Sequence, residues 1–235
     1  AASLAAAAIG SVTESLNRAT TSPSETIPRF EPATAKVYRS ATTARASFKP
    51  TRALHDHMTD QLETATVGGG CFWCIEAALE ELAGVESVTS GYAGGHTSDP
   101  SYRAVCSGST GHAEVVQVEY DPTVIAYADL LEAFFAIHDP TQRNRQGPDV
   151  GSQYRSIVLT HDEAQREAAA AYIEALDAEL DDDVVTELEP LETFYRAEEK
   201  HQDYFAKHPD DAYCTFHAQP KVEKVRAEFE SLVAK

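Results

Sequence analysis

"LETATVGGGCFWCIEAALEELAGVESVTSGY", residues 62–92, is where the character of the chain becomes readable. Its first six residues alternate, the period of a strand with one buried face. Gly68, Gly69 and Gly70 follow at once. They lead into "FWCIEAALEEL" (72–82), where apolar side chains recur at helical spacing. Gly84 is a stop signal, and "VESVTSGY" (85–92) is a strand again.

Further along, "HAEVVQVEYDP" (112–122) is an alternating strand ended by Asp-Pro, and "YADLLEAFFAIH" (127–138) an amphipathic helix. A polar loop, "DPTQRNRQGPDVG", covers 139–151. "SQYRSIVLT" (152–160) reads as a strand, "DEAQREAAAAYIEALDAEL" (162–180) as a long helix opened by acids, and "DVVTELEPL" (183–191) as a final strand. Short helices fit "AEEKHQDYFAKH" and "PKVEKVRAEFESLV". Strands and helices intermix, and some connections are too short for helical crossovers. The expectation for residues 61–235 is an α+β domain. Its mixed, largely antiparallel sheet carries packed helices, in a two-layer sandwich related to ferredoxin-like folds.

Upstream the material changes. Residues 1–57 carry seven Lys and Arg against four Asp and Glu, while residues 58–235 carry twelve against thirty-four. The front is rich in Ala, Ser, Thr and Pro and shows neither period, so residues 1–60 are expected to be a disordered extension. A transit peptide is the second reading of that segment. Met58, the chain's single methionine, stands at the change of composition and suits a start, which favours a cytoplasmic location. The net charge of −19 repels nucleic acid and anionic membrane, and is the acid-loaded surface of halophile proteins. No apolar run approaches the length of a membrane span, and a monomer is expected.

Four cysteines, Cys71, Cys74, Cys106 and Cys214, are too few to staple a secreted scaffold of this length. They suit chemistry in a reducing compartment. Cys71 follows a glycine turn at the mouth of a helix. There the free N–H groups and partial positive charge favour an exposed thiolate of lowered pKa. Cys71 and Cys74 form C-x-x-C, which fits a general thiol–disulfide oxidoreductase. Half of a zinc site is a weaker reading, because no second pair of matching ligands appears and no metal is expected. Cys106 reads as structural, as do His112 and His138.

"GGGCFWCIEA" (68–77) resembles the GCFW signature of the peptide methionine sulfoxide reductase A family. "SGYAGG" (90–95), "PSYRAVCSGSTGHAEVVQVEYDP" (100–122), "HDPTQ" (138–142) and "RQGPDVGSQYRSI" (145–157) resemble further family blocks, in family order. The resemblance implies reduction of methionine S-sulfoxide, protein-bound or free. Cys71 would be the nucleophile and Glu114 the acid that protonates the sulfoxide oxygen, helped by a pKa raised through burial. Tyr102 and Tyr154 would hold that oxygen, Asp149 would be the carboxylate near the nucleophile, and Phe72 and Trp73 would wall the pocket for the S-methyl group. A sulfenic acid left on Cys71 needs a resolving thiol. Cys214, in a tail expected to be mobile, stands slightly ahead of Cys74, which the helix is expected to direct away from Cys71. The implied reductant is a thioredoxin-like dithiol, or dithiothreitol in vitro, with no bound cofactor. The chain lacks the glycine-rich, two-cysteine tail of some members, which argues against a second relay disulfide.

Overall fold

The strand–turn–helix–strand run that opens the domain forms as its patterning dictates. It starts a computed structural model that describes residues 62–234; the expected extension over 1–60 lies outside the described residues. In chain order the elements are β1 (Glu63–Gly68), α1 (Phe72–Leu79), β2 (Val85–Ala93), α2 (Tyr102–Cys106), β3 (Ala113–Tyr120) and α3 (Tyr127–Ala136). Then come β4 (Arg145–Gln146), β5 (Asp149–Val150), a 3₁₀ turn (Ser152–Tyr154), β6 (Ile157–Thr160), α4 (Glu163–Asp177), β7 (Glu187–Pro190) and β8 (Tyr195–Arg196). A second 3₁₀ turn (Glu199–His201), α5 (Tyr204–Lys207), a π-wound turn (Cys214–Ala218) and α6 (Gln219–Glu228) complete the chain.

Six strands form one sheet in the order β7-β6-β1-β3-β2-β8. All neighbours pair antiparallel except β6 and β7, which run parallel. The inner four strands, with α1 after β1 and α3 after β3, make the βαββαβ unit of ferredoxin-like sheets, so the α+β expectation holds. β3 shows why the sheet has two unlike faces. Val116, Val118 and Tyr120 point to the helices and join a core with Ile75, Leu79, Phe134 and Tyr172. Each large side chain buried there contributes roughly 2 kcal/mol. Ala113 and Val115 point the other way, into a small cluster with Ala93, Ile157 and Leu159 beneath Leu191 and Phe194. Glu114 shares the helix-facing stripe and is its polar exception.

Several boundaries differ from expectation; helices read to 138, 180 and 233 end at Ala136, Asp177 and Glu228. The strand read over 152–160 begins only at Ile157. Before it, Arg155 is buried by hydrogen bonds rather than by apolar packing: its guanidinium donates to Glu187 Oε2, Ser152 O and Gly94 O. The helix read over 72–82 stops at Leu79, and the strand read over 183–191 is confined to Glu187–Pro190. The hairpin of β4 and β5, the five-residue α2 and the two-residue β8 were not foreseen. Among the described residues no helix is long and apolar enough to cross a membrane.

Candidate active site

The site forms where β1 runs out. Gly68 is the last residue of β1, and a Cβ there would sit 2.5 Å from the main-chain oxygen of Glu114. The close approach of β1 to β3 therefore depends on glycine. Gly70, at φ +105°, lies in the left-handed region and swings the chain into α1, with Cys71 at its N-cap. The main-chain N–H of Phe72, in the first turn of α1, donates to Glu114 Oε2 at 3.2 Å. Glu114 thus satisfies one of the helix's orphan donors directly beneath the nucleophile.

An exposed, acidified Cys71 is not what this geometry produces. The residue is 7% exposed, and burial raises its thiol well above the ordinary cysteine value. Neighbouring Cys74 and Glu114 raise it further, and the Tyr213 hydroxyl opposes them. Desolvation outweighs the helix terminus. Nor does α1 direct Cys74 away: a side-chain hydrogen bond links the two thiols and lowers Cys74, with help from the charge of Lys221. Cys214 is fully buried in the π-wound turn rather than carried on a loose tail. Burial pushes its thiol up to about 11, with Asp211 and Cys74 adding to the rise. All four cysteines are free thiols. Cys106 is exposed at the end of α2, not structural packing, and its thiol bonds to the Tyr102 side chain.

Glu114 is 1% exposed, and burial pushes its carboxyl up to about 8 against the bond from Phe72. It is an acid at neutral pH. Tyr102, on α2, and Tyr154, ending the first 3₁₀ turn, both feel the Glu114 carboxyl, and burial keeps both hydroxyls protonated. Asp149, on β5, accepts the Tyr213 hydroxyl at 2.6 Å. The expected cluster is therefore brought together from four separate stretches of chain: Cys71, Tyr102, Glu114, and Asp149 with Tyr154.

Phe72 and Trp73 belong to a wider aromatic wall. Phe72 is buried and stacks on Tyr102 at 6.4 Å between ring centroids. Trp73 lies flat on Tyr204 at 3.7 Å and meets Tyr213 edge-on at 6.0 Å. His201 packs 4.3 Å from the Tyr102 ring. Sequence reading missed Tyr204, Tyr213 and His201. They lie in short helical pieces with no apolar period, and the one available signal was the adjacency of Tyr213 to Cys214. His138 is buried, its ring bonded to Phe134 O and Ser156 Oγ, and burial lowers it to about 4, which suits a structural role. His112 is held likewise by Gly95 N and Thr97 O. It borders a polar cavity of about 580 Å³ with His96, Glu189 and Thr193, whose lining includes neither Cys71 nor Glu114. Among the described residues, no three of His, Cys, Asp and Glu gather as a metal ion would require.

Comparison with known proteins identifies a family. The profile of the family described as peptide methionine sulfoxide reductase matches residues 63–232. The chain is 76% identical over 168 residues to peptide methionine sulfoxide reductase MsrA of Natronomonas pharaonis, covering 71% of this chain and 94% of that one. It is 53% identical over 171 residues to the protein of that name in Thermus thermophilus, covering 73% and 97%. Among solved structures it is similar to reduced Mxr1 from Saccharomyces cerevisiae, with TM-score 0.63, 36% identity and coverage of 73% and 96%. Methionine sulfoxide reductase A of Corynebacterium diphtheriae follows, with TM-score 0.59, 37% identity and coverage of 68% and 82%.

Proposed function

The chain belongs to the peptide methionine sulfoxide reductase family, and from that premise we propose a specific division of labour for its reduction of methionine sulfoxide to methionine. Cys71 attacks the sulfur as Glu114 gives its proton to the sulfoxide oxygen, the Cys71 thiol proton passing to the carboxylate so formed, and Tyr102 and Tyr154 hold that oxygen by their hydroxyls. Phe72 and Trp73 seat the S-methyl group, and Asp149 orders the Tyr213 side of the pocket. The observation that carries this reading is Glu114: a carboxyl kept protonated by burial, bonded to the peptide N–H that follows the nucleophile. A sulfoxide accepts a thiolate at sulfur only as its oxygen is protonated, and a general thiol exchanger has no use for such an acid.

Oxygen leaves on Cys71 as sulfenic acid and methionine is released. Cys74 then condenses with Cys71, expelling water and forming the first disulfide. Its thiol already meets Cys71 and is the readier of the two candidates to ionise. Cys214, buried on the π-wound turn and close enough to feel the Cys74 charge, exchanges next, leaving a Cys74–Cys214 disulfide and a reduced Cys71; a second disulfide, which the missing two-cysteine tail argued against, thus forms without that tail. A thioredoxin-like dithiol takes up the oxidation, or dithiothreitol in vitro. Electrons enter as thiols at every step, so no bound cofactor is needed. The free thiols fit a reducing cytoplasm, and a site complete within one chain fits a monomer. Selectivity for the S epimer, in oxidised proteins or as the free amino acid, belongs to this proposal through the family relationship.

Dithiothreitol-driven turnover of both sulfoxide epimers tests the reading. Wild type should turn over the S epimer alone, Cys71→Ser neither. Glu114→Gln should lose at least about a hundredfold in sulfoxide reduction, within the usual range for general acids, while keeping thiol–disulfide exchange. Undiminished sulfoxide reduction by Glu114→Gln would sink it.

A further inference from the structure

The short helix that carries Tyr102 has little of its own to hold it in place. Tyr102 opens this helix of five residues inside the long connection between β2 and β3, outside the sheet. The cap of that helix, Ser101 Oγ, takes the N–H of Ala104 at 3.3 Å and leaves the N–H of Tyr102 to find another acceptor. Glu198 supplies it. Its Oε1 accepts from Tyr102 N at 2.9 Å, and its Oε2 accepts from the Tyr92 hydroxyl, also at 2.9 Å. Tyr92 is 1% exposed and stands directly opposite Glu114 in the β2–β3 register. One carboxylate therefore ties the sheet position beside the acid to the main chain of a tyrosine expected to share its substrate.

The segment bearing Glu198 is itself fixed. The Gln202 amide accepts from Ser90 N and donates to Ser90 O, both at 3.0 Å, which pins residues 198–202 to β2. His201, three residues after Glu198 and 4% exposed, presses on the Tyr102 ring, with Nε2 3.8 Å from Glu198 Oε2. Burial pushes the Glu198 carboxyl up, yet the bonds from Tyr102 and Tyr92 more than offset it and keep it ionised. Glutamine is nearly the same size, but its single carbonyl oxygen can accept from only one of the two donors. Its amino group would face the other: the Tyr102 N–H cannot accept it, and the Tyr92 hydroxyl can do so only by turning its own proton away, so the paired charge-assisted bonds to one carboxylate are lost either way.

We infer that Glu198 is a positioning residue for sulfoxide reduction: by holding the main chain of Tyr102 and the hydroxyl of Tyr92 together, it sets where the Tyr102 hydroxyl meets the sulfoxide oxygen. The inference rests on Tyr102 being an oxygen holder, so the test separates the two. Because Tyr154 can share that role, the full chain is first given Tyr154→Phe. Methionine formed in a single turnover is then followed at saturating S-sulfoxide. Adding Tyr102→Phe should slow the reaction a hundredfold or more, and adding Glu198→Gln about tenfold with little change in half-saturating substrate. Adding Glu198→Gln to the chain that already lacks both hydroxyls should cost nothing further. Tyr92→Phe, which keeps the ring and the carboxylate, should show a smaller loss with the same dependence on Tyr102, and covers the case of a poorly folded Glu198→Gln. An equal loss with and without the Tyr102 hydroxyl would reduce Glu198 to a structural strut and overturn the inference. A full rate after removal of both hydroxyls would overturn the oxygen-holding role, and the inference with it.

Discussion

Glu114 shows how one residue sets a pH window. Its carboxyl is raised from the ordinary value near 4.5 to about 8, with burial the first cause. A raised acid keeps its proton in the folded state, so the general acid is present below pH 8 and lost above it. The single-turnover rate of sulfoxide reduction should therefore fall on the alkaline side of about pH 8, and the residual rate of Glu114→Gln should lack that limb. Linkage gives the companion result. Between pH 4.5 and 8 the folded protein holds a proton that the unfolded chain has shed, so this group's contribution to stability declines across that window. Glu114→Gln should melt higher than wild type at pH 8, by a few degrees, and a lower melting point would contradict a buried, protonated Glu114. The thiols divide similarly. After one turnover, Cys74→Ser should accumulate Cys71 sulfenic acid, while Cys214→Ser should stop at a Cys71–Cys74 disulfide; mass spectrometry distinguishes them, and the opposite pattern would restore Cys214 as direct resolver.

The elements that could be read from sequence were those with a period. β1, α1, β3, α3 and α4 each repeat apolar residues often enough to declare which face they bury, and the glycine turn announced a nucleophile at a helix mouth. The rest had no repeat to read. α2 is a single turn, β8 is two residues, and Arg155 is held by bonds to the distant Glu187 and Gly94. The pKa of Cys71 was misjudged for a related reason. The helix terminus is local and visible in sequence, whereas the burial that outweighs it comes from elements far along the chain. Tyr213 reaches Asp149 across 64 residues of sequence. At this scale the sharpest prediction concerns Gly68. Alanine there meets the main-chain oxygen of Glu114 first, with Val115 and Ile157 side chains close behind, and such overpacking costs ~1–3 kcal/mol. Gly68→Ala should lower the melting temperature by at least a few degrees and, by pushing β3 away, slow sulfoxide reduction more than it weakens thiol exchange. A melting point equal to wild type would show that β1 and β3 separate freely.

For the molecule as a whole, charge is the dominant quantity. A net −19 is concentrated after residue 57, with local runs such as Asp181 to Asp183 and neighbouring pairs such as Asp210 and Asp211. Repulsion of this kind opposes the compact state and is screened as the Debye length shrinks from about 10 Å at 0.1 M salt to about 3 Å at 1 M. The thermal midpoint should rise by several degrees between 0.1 M and 1 M potassium chloride. At roughly 2–4 °C per kcal/mol for a domain of this size, that is a gain of at least 1 kcal/mol. A midpoint that falls with salt would mean that attractive ion pairs, such as Arg226 with Glu81, outweigh the repulsion.

The bond from Phe72 to Glu114 also bears on redesign. It comes from the peptide N–H, so the ring of Phe72 and the proton donor are mechanically independent. An engineer who wants to admit bulkier sulfoxides can trim that ring to leucine or alanine and leave the acid anchored. Proline is the one residue barred from the position on chemical grounds, because it deletes the N–H while still fitting the first turn of a helix. Substrate range and proton delivery can therefore drift separately at a single codon.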